Sequence, residues 1–282
     1  MAETDHPPGS EPRVGELMRR VASALVLVPL ALITAYVGGW LFAAFWGIAA
    51  LGVLWEWMAL VAGSARHAVL AVAAAAIVLA LALVVMGYSV ASVMVLAMGA
   101  LGAAVLAPAV RRGWIASGVP YAGAVALAPT LLRAEGREGF PAVLFLFIVV
   151  WTTDIAAYFA GRALGGPKLM PRVSPKKTWS GALGGTLAAA AASLVFTAAA
   201  GLSGRFLVAL IAVILSVVAQ AGDLFESFLK RRFGAKDSGR LIPGHGGLMD
   251  RLDGFVVAAV VAALVGLLRG GLEAPGRGLL VW

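Results

Sequence analysis

Long apolar stretches broken by short polar ones run through most of the chain. A helix that crosses about 30 Å of hydrocarbon needs about 20 apolar residues, and nine runs of that kind lie near 21–38, 40–62, 67–87, 89–110, 114–132, 140–160, 181–202, 206–224 and 252–268. Gly, Pro or a charged residue bounds each run, and no period of 20 to 50 residues marks a repeat array. The pattern predicts an all-α, polytopic integral membrane protein of about nine transmembrane helices.

The charges between the runs supply an orientation. With the N-terminus inside, the inside segments hold 17 of the Lys and Arg residues and the outside segments 5. Cytoplasmic loops carry such an excess, so the N-terminus is expected in the cytoplasm and the C-terminus outside. Residues 1–20 are polar and of mixed charge. Glu3, Asp5, Glu11 and Glu16 spoil the basic start of a signal peptide, and no A-x-A site closes the first apolar run.

Composition narrows the chemistry. Of 282 residues, 61% are hydrophobic and 13% charged, against about 45 to 50% and 25% in soluble domains. The net charge of +8 falls between apolar runs, where anionic lipid or anionic substrates are the expected partners and nucleic acid is not. There is no cysteine, and His6, His67 and His245 are far apart in sequence. Thiolate chemistry and Cys-ligated zinc are therefore excluded, a His-based metal site is disfavoured, and any metal must be held mainly by oxygen.

Carboxylates at membrane depth are expensive and point to function. Most of those at span ends lie in the second half: Asp154, Asp223, Glu226, Asp237, Asp250 and Asp253. Glu56, between Trp55 and Trp57, is the exception, and a structural hydrogen bond accounts for it better than catalysis. Gln220, Asp223, Glu226, Ser227 and Lys230 recur at helical spacing, so the eighth span gains a polar stripe as it leaves the membrane. A self-paired Glu226–Lys230 helix end explains part of that stripe but not Asp223. The loop that follows carries Lys236, Asp237, Gly246 and Gly247, and Asp250, Arg251 and Asp253 open the ninth span. Helix capping accounts for one of those two aspartates. Two of them behind a Gly-rich basic loop suit Mg²⁺, which binds through one or two carboxylates plus substrate phosphates. A second basic loop, from Arg162 to Thr178, contains Lys168, Arg172, Ser174, Lys176 and Lys177. Anchoring explains it alone, but the hairpin of spans seven and eight returns both loops to one face. P-loop, dinucleotide-binding, zincin and serine-esterase motifs are all absent.

The run SFLKRRFGAKDSGRLIPGHGGLMDRLD, Ser227 to Asp253, closely resembles the signature of the phosphatidate cytidylyltransferases. Ser227, Lys230, Arg231, Lys236, Asp237, His245, Gly246, Gly247, Asp250, Arg251 and Asp253 fill its fixed positions. Asp154 to Tyr158 and Ser174 to Thr178 look like the family's second conserved region, with a departure at Ser180, where many members carry Glu. The resemblance covers about residues 150–255. It implies transfer of cytidylate from CTP to phosphatidate with Mg²⁺, giving CDP-diacylglycerol and diphosphate. Asp223, Lys230, Asp250 and Asp253 are then the expected catalytic residues, with Asp223 and Asp250 as metal ligands. Asp154, Ser174, Lys176, Lys177, Ser227, Arg231, Lys236, Asp237, His245, Gly246, Gly247 and Arg251 are expected to contact substrate. Expected partners are CTP, phosphatidate in the bilayer and membrane lipids, and a homodimer is compatible with the sequence.

The organisation expected on this reading is a cytoplasmic tail over 1–20, N-terminal transmembrane helices over 21–135, a C-terminal transmembrane catalytic region over 136–270 and a short external tail over 271–282. An ion-coupled transporter is the competing class. Against it, the polar residues gather at one face, not at mid-bilayer, and the two halves show no matching interrupted helices. The D-G-x-x-A-R element of the CDP-alcohol phosphotransferases is absent.

Overall fold

The computed structural model describes residues 13–62, 66–134, 136–239, 241 and 246–282, with side chains from Leu25 onward apart from Arg66. The chain folds as α1 (Arg13–Val37), α2 (Gly39–Val61), α3 (Arg66–Val85), α4 (Ser89–Leu106), α5 (Arg112–Arg133), α6 (Gly139–Leu164), β1 (Lys168–Met170), β2 (Ser174–Thr178), α7 (Trp179–Ala199), α8 (Arg205–Arg232), α9 (Met249–Gly270) and α10 (Pro275–Leu280). Each of the nine apolar runs coincides with a helix. Among the described residues eight helices are long and apolar enough to cross a membrane, and the apolar part of α1 described, Leu25–Val37, is shorter. The protein is thus an all-α, multi-pass membrane protein, with backbone polar groups satisfied inside each helix as hydrocarbon requires.

Two features depart from the apolar pattern. Residues 168–178, expected as a basic loop, form an antiparallel hairpin that pairs Lys168 with Thr178 and Met170 with Ser174. The end of the chain, expected as a tail, forms α10, whose Leu279 and Leu280 are fully buried. There the α9 face at Gly266 approaches α10 so closely that a Cβ would lie 3.0 Å from the Pro275 carbonyl carbon.

Hydrogen bonds and aromatic stacks join the bundle. Arg133, at the end of α5, donates to the carbonyls of Ala35 (2.5 Å) and Tyr36 (2.9 Å), satisfying the open C-terminus of α1. Trp46 on α2 stacks on Phe255 of α9 at 4.7 Å and on Phe147 of α6 at 6.3 Å. Thr153, Thr186 and Ser216 link α6, α7 and α8 through hydroxyls (Thr153 to Ser216, 2.8 Å), and Gln220 donates to Thr186 at 3.1 Å. Such side chains hold helices together where no water competes.

The α8–α9 contact sets the position of the acidic residues. At Gly222 a Cβ would lie 2.6 Å from the Asp253 carbonyl oxygen, and at Gly254 one would lie 2.9 Å from the Ala219 carbonyl oxygen. Only glycine permits that approach, so the turn bearing Asp223 lies directly against the turn bearing Asp253.

Candidate active site

Both basic segments line one cavity of about 820 Å³, within the range of about 300 to 1,000 Å³ of small-molecule sites. The hairpin side contributes Arg162, Lys168, Lys176 and Lys177, the α8–α9 side contributes Lys230 and Arg251, and the carboxylates are Asp154, Asp223, Glu226, Asp250 and Asp253. The polar stripe of α8 explains part of this lining: Gln220, Asp223, Glu226 and Lys230 all face the cavity, one helical turn apart.

Among the described residues, two ion pairs cross between elements. Lys177 on β2 pairs with Asp223 on α8, which ties the hairpin to the helix bundle. Lys230 pairs with Glu226 on its own helix at 2.6 Å and with Asp250 on α9 at 2.5 Å. Asp250 also accepts from the backbone amides of Gly247 (2.9 Å) and Ser238 (3.1 Å). Its carboxylate therefore ties the first turn of α9 back to Ser238 and Gly247 of the signature loop. Asp253 accepts from the amide of Gly254 at 2.8 Å and interacts electrostatically with Asp223 and Asp154.

A clasp from the first half of the chain completes the loop. Glu56 on α2 is 1% exposed and accepts from Ser238 Oγ (3.1 Å), Leu248 N (2.9 Å) and Met249 N (2.8 Å). Gly239 and Gly247 pack on this carboxylate, where a Cβ at Gly247 would lie 2.8 Å from Oε2. Two glycines of the signature loop thus make room for Glu56.

Of the residues expected from the sequence, Asp154, Lys176, Lys177, Asp223, Lys230, Asp250, Arg251 and Asp253 line the cavity. Ser174 on β2, Ser227 on α8 and Gly246 and Gly247 in the signature loop lie outside its lining, and Arg231, Lys236 and Asp237 are exposed beside it. His245 lies outside the described residues. Ser180, at the departing position, bonds to the carbonyl of Gly165 and to Thr178 Oγ1, while Thr178 Oγ1 accepts from Gly181 N at 3.1 Å as the N-cap of α7. Arg162 and Lys168, which anchoring alone had explained, line the cavity too, and Arg162 donates to the Tyr158 hydroxyl at 2.9 Å.

Among the described residues, no three His, Asp or Glu side chains form a ready metal cage. Carboxylates from α6, α8 and α9 on one cavity, three of them paired with two lysine ammonium groups, nevertheless fit a hard cation that takes few protein ligands and the rest from phosphate and water.

The chain matches the cytidylyltransferase family over residues 18–268. It is similar to the phosphatidate cytidylyltransferase of Brucella suis biovar 1 (strain 1330), 56% identical over 164 residues, 58% of this chain and 61% of that protein. It is also similar to that of Brucella abortus biovar 1 (strain 9-941), 57% over 155 residues, 55% of this chain and 57% of the relative. The phosphatidate cytidylyltransferase of Staphylococcus haemolyticus (strain JCSC1435) is 44% identical over 124 residues, 44% of this chain and 48% of the relative. The chain spans about three fifths of the length of the Brucella relatives it matches.

Proposed function

The chain belongs to the cytidylyltransferase family, and from that membership we propose that it is a phosphatidate cytidylyltransferase, joining CTP and phosphatidate into CDP-diacylglycerol with release of diphosphate. The observation that carries this reading is the single cavity in which two basic segments, far apart in sequence, meet carboxylates from three helices. Cations on two sides and acids between them are what a site needs to bring two polyanions together.

A phosphate monoester has a second pKa of about 6, so the phosphatidate phosphate is largely dianionic at neutral pH. Its oxygen attacks the α-phosphorus of CTP, the new P–O bond forms as the bond to the β-phosphate breaks, and the electron pair leaves on diphosphate. No general base is required. Lys177 and Lys176 on the hairpin, and Lys230 and Arg251 across from them, bind the phosphates and hold them in line. Asp223 and Asp250 are the residues to hold Mg²⁺, with Asp253 beside them. Bound there, the ion supplies charge screening between the two substrates and on the departing diphosphate. Ser174, Ser227, Arg231, Lys236, Asp237, His245, Gly246 and Gly247 support the phosphate-binding loop and its rim. The excess of 17 inside cations over 5 outside supports an orientation with this site at the cytoplasmic face of the cell membrane.

The test is direct. Purified protein in lipid nanodiscs, supplied with CTP, phosphatidate and Mg²⁺, is expected to form CDP-diacylglycerol detectable by mass spectrometry, and phosphatidylcholine in place of phosphatidate is expected to give none. Failure to form product from CTP, phosphatidate and Mg²⁺ would overturn the assignment.

A further inference from the structure

A second cleft, about 250 Å³ and mainly apolar, opens beside the polar cavity. Ala31 of α1, Trp46 and Ala49 of α2, Phe147 of α6 and Phe255 of α9 help to form its walls. Asp154, Arg251 and Asp253 line both spaces, so the apolar slot between transmembrane helices adjoins the residues of the phosphate-binding cavity. A molecule that fills both must be an amphiphile with an anionic head.

Trp46 adds a polar requirement. It is 3% exposed, and among the described residues its indole N–H has no hydrogen-bond partner. A buried indole N–H ordinarily finds an acceptor, and an unmet one calls for an explanation. Its ring is held by the stacks on Phe255 and Phe147, both of which line the same cleft. A diacyl lipid offers an acceptor at the right place in its own structure, because an ester carbonyl separates the phosphoglycerol head from each hydrocarbon chain.

We propose that this cleft receives the glycerol-proximal part of one phosphatidate acyl chain, with the Trp46 indole donating to its ester carbonyl. The proposal rests on the phosphatidate reading above and adds to it a chain-binding slot and a residue that selects ester-linked over ether-linked lipid. Apart from Asp154, Arg251 and Asp253, which it shares with the polar cavity, the slot's lining side chains offer a base only the indole N–H groups of Trp46 and Trp151, so cytidine does not suit it. The phosphate stays with Arg251 at the junction.

The experiment has two arms. In the first, kcat/KM is measured for diacyl and dialkyl phosphatidate with the wild type and with Trp46→Phe, which keeps an aromatic ring for the stack and removes only the donor. The wild type is expected to favour the diacyl lipid by about tenfold, the weight of one hydrogen bond, and Trp46→Phe to bring that ratio near one. An unchanged ratio in the variant would overturn the proposal, because a purely structural role for Trp46 lowers both rates together. The second arm needs no turnover: wild-type protein is irradiated with phosphatidate carrying a diazirine near the start of one acyl chain, and the labelled peptides are mapped. Label on the α1, α2 and α6 walls at Ala31, Ala49 and Phe147, competed by unlabelled phosphatidate and not by phosphatidylcholine, is the expected result. Label confined to the outer, lipid-facing helix surfaces would contradict it. If wild-type protein forms no CDP-diacylglycerol, the activity reading fails while the competed labelling still decides on the cleft.

Discussion

Met249, the first residue of α9, donates its backbone amide to the Glu56 carboxylate of α2 at 2.8 Å. The bond joins two residues 193 positions apart, and it fixes the start of the helix that carries Asp250 and Asp253. With Leu248 N and Ser238 Oγ bound to the same group, Glu56 is where the first half of the chain holds the signature loop in place.

Glu56→Ala should therefore behave as a loop mutation although it lies in a transmembrane helix. It leaves three donors unpaired in a buried place, at about 1 to 3 kcal/mol for each donor that water does not rescue. The expected outcome is a clear fall in thermal midpoint together with a loss of activity of at least tenfold. Glu56→Gln keeps one acceptor oxygen and should fall between the two. Calorimetry in detergent beside steady-state kinetics checks both, and a stable Glu56→Ala protein with wild-type kinetics would remove the clasp from the account.

Lysines that line the cavity should matter more than those on its rim. Removing one charge-assisted hydrogen bond to phosphate costs about 1.5 to 3 kcal/mol in kcat/KM. Lys177→Gln and Lys230→Gln are expected to show losses of that size, and Lys→Arg at either position should also hurt, since a planar fork does not replace a point charge. Lys236, exposed and outside the cavity lining, should give the smaller effect. Kinetics with CTP and phosphatidate varied separately gives the order.

The metal prediction rests on Asp223. Asp223→Asn keeps the shape, removes the charge that Lys177 pairs with, and is expected to lower kcat by orders of magnitude while the protein still inserts and elutes as wild type. Excess EDTA should abolish wild-type turnover and added Mg²⁺ restore it. Turnover that persists in EDTA contradicts a magnesium site.

Gly222 tests the geometry beneath the acids. A Cβ there would meet the Asp253 carbonyl oxygen at 2.6 Å, and the opposing atom is backbone, which cannot swing away. Gly222→Ala should separate α8 from α9 and reduce kcat, with the KM for CTP changing less.

Much of this arrangement was legible in the sequence because it rests on periodicity. The apolar runs give the long helices, and the spacing of Gln220, Asp223, Glu226 and Lys230 gives the face of α8 that lines the cavity. The hairpin at 168–178 was not legible: β1 and β2 are three and five residues long, and Ser-Pro-Lys-Lys-Thr has no apolar alternation to mark a strand. Asp250, expected from its place as a helix cap or a metal ligand, instead accepts from Ser238 and Gly247 in the loop before α9 while Glu56 takes the amides of Leu248 and Met249, and spacing alone does not show which donors reach it. The apolar cleft escaped for a different reason. Its walls are Trp, Phe and Ala from helices distant in sequence, and in a membrane protein such residues look the same whether they face a lipid, a neighbour or a slot.

The central claim is that this cavity transfers a cytidylyl group, and the position of the transferred phosphorus tests it most directly. CTP labelled at the α-phosphate and CTP labelled at the γ-phosphate are each incubated with the purified protein, phosphatidate and Mg²⁺, and the lipid and aqueous fractions are counted. The account predicts α-label in the lipid fraction and γ-label in diphosphate alone. Transfer of γ-label to the lipid, or α-label that stays entirely in water, would contradict it.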